Sequence, residues 1–151
     1  MKDVKTILVP IDYSSITNKV LSAAISMASK FDAEIHLLYI AESFGEYSTF
    51  AIPHISTDVL AEELLKQAKA KMDHFVDHHR DKCKRCVGSV EQSDDPAKRI
   101  VSYAKKNNVD MIVMGTHGYT GIEKTLMGSV AEKVLRTAPC PVTVIRPEEK
   151  I

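Results

Sequence analysis

Short apolar runs alternate along this chain with longer stretches in which apolar residues recur every three or four positions. The short runs are typical of buried parallel strands, and the longer recurrence is typical of helices with one buried face. The predicted strands cover residues 4–11, 34–41, 83–90, 110–114 and 141–146. The first predicted helix covers residues 16–30. The other three predicted helices begin near residues 57–58, at 95–96 and at 129.

Local signals mark where these helices begin. Asp95 followed by Pro96 predicts a helix start, because an acidic N-cap and an early proline both suit the first turn. The polar residues at 12–15 can cap the first helix. The segment 129–132 predicts a capping box that opens the last helix. The second helix is expected to bury a stripe formed by Leu64, Leu65, Ala68, Met72, Phe75, Val76 and His79.

The order of these elements predicts the fold class. Strands that alternate with helices form a parallel sheet with helices on both faces, joined by right-handed crossovers. The chain has 151 residues, a length that suits one domain over 1–151. We therefore expect an α/β protein with one open, Rossmann-like sheet of five parallel strands.

Composition narrows the function classes. Lys and Arg together number 20, and Asp and Glu together also number 20. This balance of charge gives no reason to expect nucleic acid or a membrane surface as a partner. The three cysteines exclude a closed disulfide framework and favour a reducing compartment. No apolar run approaches the ~18 residues of a membrane span, and the first residues do not resemble a secretory signal. We expect a cytoplasmic protein.

The glycines are concentrated in one loop between a predicted strand and a predicted helix. Four of the six fall there, at Gly115, Gly118, Gly121 and Gly128. Open α/β sheets bind ligands at the carboxyl ends of their strands, and a helix N-terminus presents N–H groups to anions. Gly128 and Ser129 would thus meet a phosphate. The loop matches neither common nucleotide signature, so glycines that serve turns alone remain an alternative.

Four segments of the chain form a recognisable set. They are Ile7-Leu8-Val9-Pro10-Ile11-Asp12, Leu37-Leu38-Tyr39-Ile40, Met114-Gly115-Thr116-His117-Gly118 through Met127-Gly128-Ser129-Val130, and Pro139-Cys140-Pro141-Val142-Thr143-Val144. Together these segments resemble the universal stress protein family, specifically its nucleotide-binding branch. They occur in the family's order and span the whole domain, and the long glycine spacing is the most specific feature. The resemblance implies a sheet of the adenine nucleotide alpha hydrolase-like type.

The resemblance also implies an adenine-nucleotide site. Asp12 would reach the adenosine end of the ligand, and the backbone of Ile40 would hydrogen-bond the adenine. Gly115 and Gly118 would pack against the ribose and phosphates, and residues 128–130 would bind the phosphates together with Mg²⁺ or Mn²⁺. His117 could instead face solvent. The implied ligand-binding residues are Pro10, Ile11, Asp12, Ile40, Met114, Gly115, Thr116, His117, Gly118, Gly128, Ser129 and Val130.

The implied function is a stress-response sensor or regulator that binds ATP, or else ADP or AMP. The family implies a homodimer that pairs through the last strand, and an unpaired edge strand would favour such pairing. Slow ATP hydrolysis is the alternative. It is less favoured because the motif has no lysine at a phosphate-loop position and no evident base, with Lys124 an unconvincing donor.

A C-x-x-C motif at Cys83 and Cys86 suggests a third function, a metal or redox switch. His74 and His78 lie upstream at a spacing that can hold zinc. The motif precedes a predicted strand, however, whereas a thioredoxin-type motif opens a helix. Strand alternation would point the two thiols to opposite faces, and the basic pair between them would lower their pKa values.

The segment 42–55 is rich in apolar residues and has no clear period. Long loops of this kind are often functional. We consider two interpretations of this segment: a lid or partner surface, and a packed loop that closes over the core.

Overall fold

The computed structural model describes residues 3–43, 57–117 and 127–148. Strands and helices alternate in the predicted order, and none of the described helices is long and apolar enough to cross a membrane. The segment 44–56 lies outside the described residues. The elements are β1 (Thr6–Ile11), α1 (Thr17–Phe31), β2 (Glu34–Ala41), α2 (Thr57–His78), β3 (Cys86–Gln92), α3 (Pro96–Lys106), β4 (Met111–Gly115), α4 (Ser129–Thr137) and β5 (Val142–Ile145).

The five strands form one parallel sheet in the order β3-β2-β1-β4-β5. Ile7 in the central strand β1 pairs with Ile35 of β2 on one side and Met111 of β4 on the other. This arrangement confirms the predicted fold class. The strand order reverses direction between β1 and β4, and ligands of open α/β sheets bind where that reversal opens a crevice.

Both faces of the sheet carry a hydrophobic core, as predicted for a sheet covered on two sides. Ile7 and Val9 of β1 point towards α1 and α2, where they pack with Leu21. Leu8, between them in sequence, points to the opposite face and packs with Ile100 of α3 and Val134 of α4. The alternation holds because successive side chains of a strand face opposite sides.

The expected capping of α1 and α4 is wrong. The N-cap of α1 is Ile16, without a side-chain cap, and the Asp12 carboxylate instead accepts the Ser14 N–H at 2.9 Å within the preceding turn. The N-cap of α4 is Gly128, so Ser129 is already helical and forms no capping box. Gly128 lies outside the helix in an extended conformation, and its N–H donates to the Thr116 carbonyl oxygen at 2.7 Å.

The predicted start of α3 is confirmed. Asp95 is the N-cap, Pro96 is the first helical residue, and Asp95 Oδ1 accepts the backbone N–H of Lys98 at 3.1 Å. The helix buries Ile100, as expected from its apolar spacing.

Replacing Asp95 with alanine should lower the free energy of unfolding by about 1 kcal/mol, because it leaves an N–H of the first turn without its side-chain acceptor. Urea denaturation of wild type and Asp95→Ala tests this. Asp95→Ser is the matched control, since a serine hydroxyl can accept the same N–H. Equal losses in both variants would contradict a capping role.

Candidate ligand site

A cavity of about 270 Å³ lies at the carboxyl ends of β1, β2 and β4, where the strand order predicts a crevice. It is bounded on the remaining sides by the first turns of α1, α3 and α4. Its wall consists of Pro10, Ile11, Asp12, Ile16, Thr17, Val20, Leu38, Tyr39, Ile40, Pro96, Ile100, Met114, Gly115, Thr116, His117, Gly128, Ser129, Val130 and Ala131.

The structure brings the sequence-predicted site residues together in this wall. Of the twelve, eleven line the cavity, and Gly118 lies outside the described residues. They come from three places far apart in the chain: the end of β1, the end of β2, and the two sides of the glycine loop. That they contact a nucleotide stays a prediction.

Asp12 is the acidic group of the cavity wall. It follows β1 directly, and its side chain is half-buried. Oδ1 accepts the Ser14 N–H at 2.9 Å and the Thr17 hydroxyl at 3.4 Å. Among the described residues Oδ2 accepts no hydrogen bond. The carboxylate is therefore held in place through one oxygen, while the other can accept a bond from a ligand.

The two ends of the glycine loop are joined across the cavity wall. The Gly128 N–H donates to the Thr116 carbonyl oxygen at 2.7 Å. A Cβ built on Gly128 would lie 2.9 Å from that same oxygen, which is too close for a side chain. Glycine is therefore required at this position by the close approach of two backbone segments.

The first turn of α4 forms the part of the wall suited to an anion. Ser129, Val130 and Ala131 are the first three helical residues, and all three line the cavity. The N–H groups at these positions have no intrahelical partner, and the helix dipole places partial positive charge there. The N-cap residue, Gly128, has no side chain with which to cap them. This end of the cavity can bind phosphate through backbone N–H groups.

His117 is held by its neighbour in the chain. Its Nδ1 lies 3.0 Å from the hydroxyl oxygen of Thr116, a buried residue, and the two share a hydrogen bond. A bond at Nδ1 leaves Nε2 as the ring nitrogen that can meet a ligand or solvent.

Tyr13 lies beside the site and connects it to α2. Its backbone is left-handed, with φ of 59°. Its ring packs on Tyr39 of the cavity wall and on Phe75 of α2, with centroids 5.1 and 5.5 Å away. The Lys71 ammonium lies 4.1 Å from the centre of the ring. Burial, with a smaller contribution from nearby Tyr39, raises the pKa of the Tyr13 phenol to about 12.

This raised pKa predicts a loss of stability at high pH. Because the folded protein disfavours the charged phenolate, the contribution of Tyr13 is fully present below pH 10 and is lost as pH rises towards 12. Urea unfolding of wild type and Tyr13→Phe across this range measures it. The stability of the phenylalanine variant should fall less steeply between pH 10 and 12; parallel curves would contradict the assignment.

Several cavity-lining residues were not expected from the sequence. Leu38 and Tyr39 come from β2. In that strand the family resemblance had indicated only Ile40 as a contact of the ligand. Pro96 and Ile100 come from the start of α3. The helix signal at 95–96 predicted that turn. No signal from neighbouring residues, however, showed that the turn would lie over the end of β1. That proximity results from how α3 packs on the sheet.

The histidines and cysteines singled out as possible metal ligands do not converge. His74 and His78 are exposed on α2. Across residues 3–43, 57–117 and 127–148, no group of three or more His, Cys, Asp or Glu side chains is placed to hold a metal ion.

A five-stranded parallel sheet with a cavity at its switch point, closed by glycines and a helix N-terminus, defines a small α/β protein with a candidate ligand site. Residues 3–146 match the sequence profile of the universal stress protein family. The chain therefore belongs to this family, which confirms the resemblance seen in its motifs.

Individual relatives match nearly the whole chain. Universal stress protein MJ0531 of Methanocaldococcus jannaschii is 35% identical over 147 residues, which cover 97% of this chain and 84% of that protein. The structure of universal stress protein UspA from Lactobacillus plantarum is similar with a TM-score of 0.78 and 25% identity. That match covers 97% of this chain and 100% of the other.

Two solved structures of the same fold are complexes with adenine nucleotides. One is a universal stress protein in complex with cAMP, with a TM-score of 0.71, 20% identity, and coverage of 97% of this chain and 100% of that one. The other is the universal stress protein from Archaeoglobus fulgidus in complex with dAMP. Its TM-score is 0.63 at 20% identity, and the match covers 96% of this chain and 100% of that one. At this identity the likeness concerns the fold.

Proposed function

We propose that this protein binds an adenine nucleotide, ATP foremost, in the cavity at the carboxyl ends of β1 and β4, and that it acts as a sensor or regulator in a stress response. The observation that carries the proposal is a cavity wall that combines an apolar half, one carboxylate and a helix N-terminus whose N-cap is a glycine. The cAMP and dAMP complexes of two relatives support the choice of an adenine ligand.

The apolar half of the cavity suits a purine base. Leu38, Ile40 and Ile100 line it, and ligand sites of this kind combine such walls with a few placed polar groups. The backbone of Ile40, at the end of β2, would hydrogen-bond the adenine edge. Asp12 Oδ2 would accept a ribose hydroxyl, because Oδ1 is already occupied by Ser14 and Thr17.

The opposite end suits the phosphates. The N–H groups of residues 129–131 would donate to phosphate oxygens. The Ser129 hydroxyl of this wall is an oxygen donor of the kind that Mg²⁺ or Mn²⁺ prefers, and it would hold such an ion together with the phosphate oxygens. The metal would neutralise phosphate charge when bound. The protein's own contribution is to hold the triphosphate against the start of α4.

The described cavity wall favours binding over hydrolysis. Phosphoryl transfer needs positive charge around the γ-phosphate and a positioned water. The described wall contains neither lysine nor arginine, and Lys124 lies outside the described residues. We expect no phosphate release above background. Turnover that persists through purification and disappears in Asp12→Ala would establish a hydrolase instead.

Calorimetric titration of nucleotide-free protein with ATP and Mg²⁺ tests the proposal, with NAD as the control ligand. We expect one ATP per chain and no heat with NAD. Asp12→Ala should weaken ATP binding about 10-fold or more, because a hydrogen bond to a charged group contributes roughly 1.5–3 kcal/mol. Absence of binding at millimolar ATP would reject the proposed function.

We also propose that the protein is a homodimer that pairs through β5. This strand lies at the edge of the sheet, hydrogen-bonded to β4 on one side. Edge strands present unpaired backbone groups to a second chain, and Leu135 of the preceding helix is an exposed apolar residue. Sedimentation velocity should show a dimer at micromolar concentration. A monomer across the accessible range would contradict this interface.

A further inference from the structure

The two cysteines of the C-x-x-C motif meet at the end of the sheet opposite to the ligand cavity. Cys83 lies three residues before β3, and Cys86 is the first residue of that strand. Both side chains are buried, at 6% and 9% exposure, and both pack in the same core cluster with α1 and α2. The expectation that they face opposite sides of the sheet is therefore wrong, since Cys83 is not part of the strand.

We propose that Cys83 and Cys86 are a redox-active dithiol that hydrogen peroxide oxidises to an intramolecular disulfide. The site is separate from the nucleotide cavity, so this activity goes beyond the proposed function and does not depend on it. The geometry that carries it is a pair of cysteines that flank a two-residue bend and pack in the same core cluster, with Cys83 beside an open cavity.

The bend that joins the two cysteines is anchored on both sides. The Cys83 N–H donates to the His79 carbonyl oxygen at the end of α2, at 2.9 Å. The Ile35 N–H of β2 donates to the carbonyl oxygen of Arg85, also at 2.9 Å, and the Arg85 guanidinium pairs with Asp32. A bend at residues 84 and 85 separates the two cysteines. Both side chains pack in the same core cluster, so the two sulfur atoms lie on one side of the sheet, as a disulfide between them requires.

Cys83 is the thiol placed to react first. It lines a cavity of about 300 Å³ together with the basic residues Lys82 and Lys84, so a small oxidant can reach it. The hydrogen bond from Cys86 lowers the pKa of the Cys83 thiol, whereas that bond and burial raise the pKa of Cys86. From the sequence, the basic pair 84–85 was expected to lower the thiol pKa values. In the structure it is the Cys86 thiol that lowers the pKa of Cys83.

The proposed oxidation balances in two steps. The Cys83 thiolate attacks one peroxide oxygen: an S–O bond forms, the O–O bond breaks, and the departing hydroxide takes a proton to become water. The Cys86 sulfur then attacks the sulfenic sulfur of Cys83. An S–S bond forms, the S–O bond breaks, and the leaving hydroxide takes the Cys86 proton to become a second water. The two thiols lose two electrons, and the peroxide is reduced.

Cys140 supplies an internal comparison. It is a half-buried free thiol, and burial together with the nearby Asp110 carboxylate raises its pKa. Because the thiolate is the reactive species, Cys140 should be oxidised more slowly than the pair. Cys140→Ser then leaves the pair as the only thiols in the full chain.

The test treats reduced, full-length Cys140→Ser protein with equimolar hydrogen peroxide and follows free thiols and intact mass. We expect both thiols to be lost together, with a mass decrease of two hydrogen atoms that a reductant reverses. In Cys140→Ser/Cys86→Ser, oxidation should stop at a sulfenic acid that dimedone traps. In Cys140→Ser/Cys83→Ser, thiol loss should be slower by about tenfold or more, because the rate follows the thiolate fraction.

Three outcomes would overturn the proposal. They are a stable mass gain of oxygen in Cys140→Ser without a disulfide, no thiol loss under peroxide, and, in the wild type, Cys140 oxidised as fast as Cys83. Since the Cys140→Ser protein keeps both buried cysteines, its result stands even if a serine at 83 or 86 impairs folding.

Discussion

Replacing Gly128 with valine is expected to abolish ATP binding while leaving the protein folded. A Cβ at this position would lie 2.9 Å from the Thr116 carbonyl oxygen, so one of the two backbone segments must move. Such a movement would break the 2.7 Å bond between them and displace the N–H groups at the start of α4. Each hydrogen bond to a charged phosphate contributes about 1.5–3 kcal/mol, so the loss of two weakens binding roughly 100-fold or more.

Titration of Gly128→Val with ATP and Mg²⁺ measures this effect, and thermal unfolding of the same sample shows that it is folded. Ser129→Ala is the matched control. It removes a hydroxyl from the same wall but keeps the backbone N–H, so its affinity should fall less than 10-fold if the backbone supplies most of the phosphate contacts. Wild-type affinity in folded Gly128→Val would exclude the start of α4 as the phosphate site.

Replacing Gly88 with valine should cause a large loss of stability. Gly88 lies in β3, against α2. A Cβ there would lie 2.5 Å from Cγ of Met72 and 2.9 Å from Cγ2 of Val76. Met72 is itself 1% exposed, so it lies inside the core and not at the solvent boundary. Overpacking a filled core costs typically 1–3 kcal/mol, and valine adds two further methyl groups, so we expect a loss of about 3 kcal/mol.

A double-mutant cycle separates overpacking from other effects. Met72→Ala alone should cost about 2–5 kcal/mol through the cavity that it leaves. In Gly88→Val/Met72→Ala the new side chain fills that space, so the double variant should lose clearly less than the sum of the two single losses. Val87→Ala, at the exposed neighbouring position, should change stability by less than about 0.5 kcal/mol. Additive losses in urea denaturation would contradict the packing explanation.

Local patterns predicted much of the fold. The bounds of β2 and the first residue of α3 are as expected, because an apolar run and an Asp-Pro start are signals carried by neighbouring residues. The buried stripe of α2 was also placed correctly at Met72 and Val76. Helical spacing alone determines which residues share a face.

Errors occurred where residues distant in sequence decide the local conformation. Residues 129–132 have the Ser-x-x-Glu spacing of a capping box with Ser129 as N-cap. In the structure Gly128, which bonds to Thr116, is the N-cap instead, so the helix begins one residue earlier. Cys83 was assigned to a strand that begins at Cys86. The start of β3 is set by its pairing with β2, where Cys86 lies opposite Ile35, and no signal from neighbouring residues could show that register.

The sequence by itself therefore determined the order of the elements, the parallel sheet, the family, and the residues from which a ligand site would be drawn. The order and the sheet follow from periodicity and turn chemistry, which act over a few residues, whereas the family and the site residues follow from the resemblance of four segments to that family. The tertiary structure alone decided that α3 closes the cavity, that Gly128 must be glycine, and that the two cysteines pack in the same core cluster. Each depends on backbone or side-chain atoms that approach within a few ångströms only after the helices pack on the sheet.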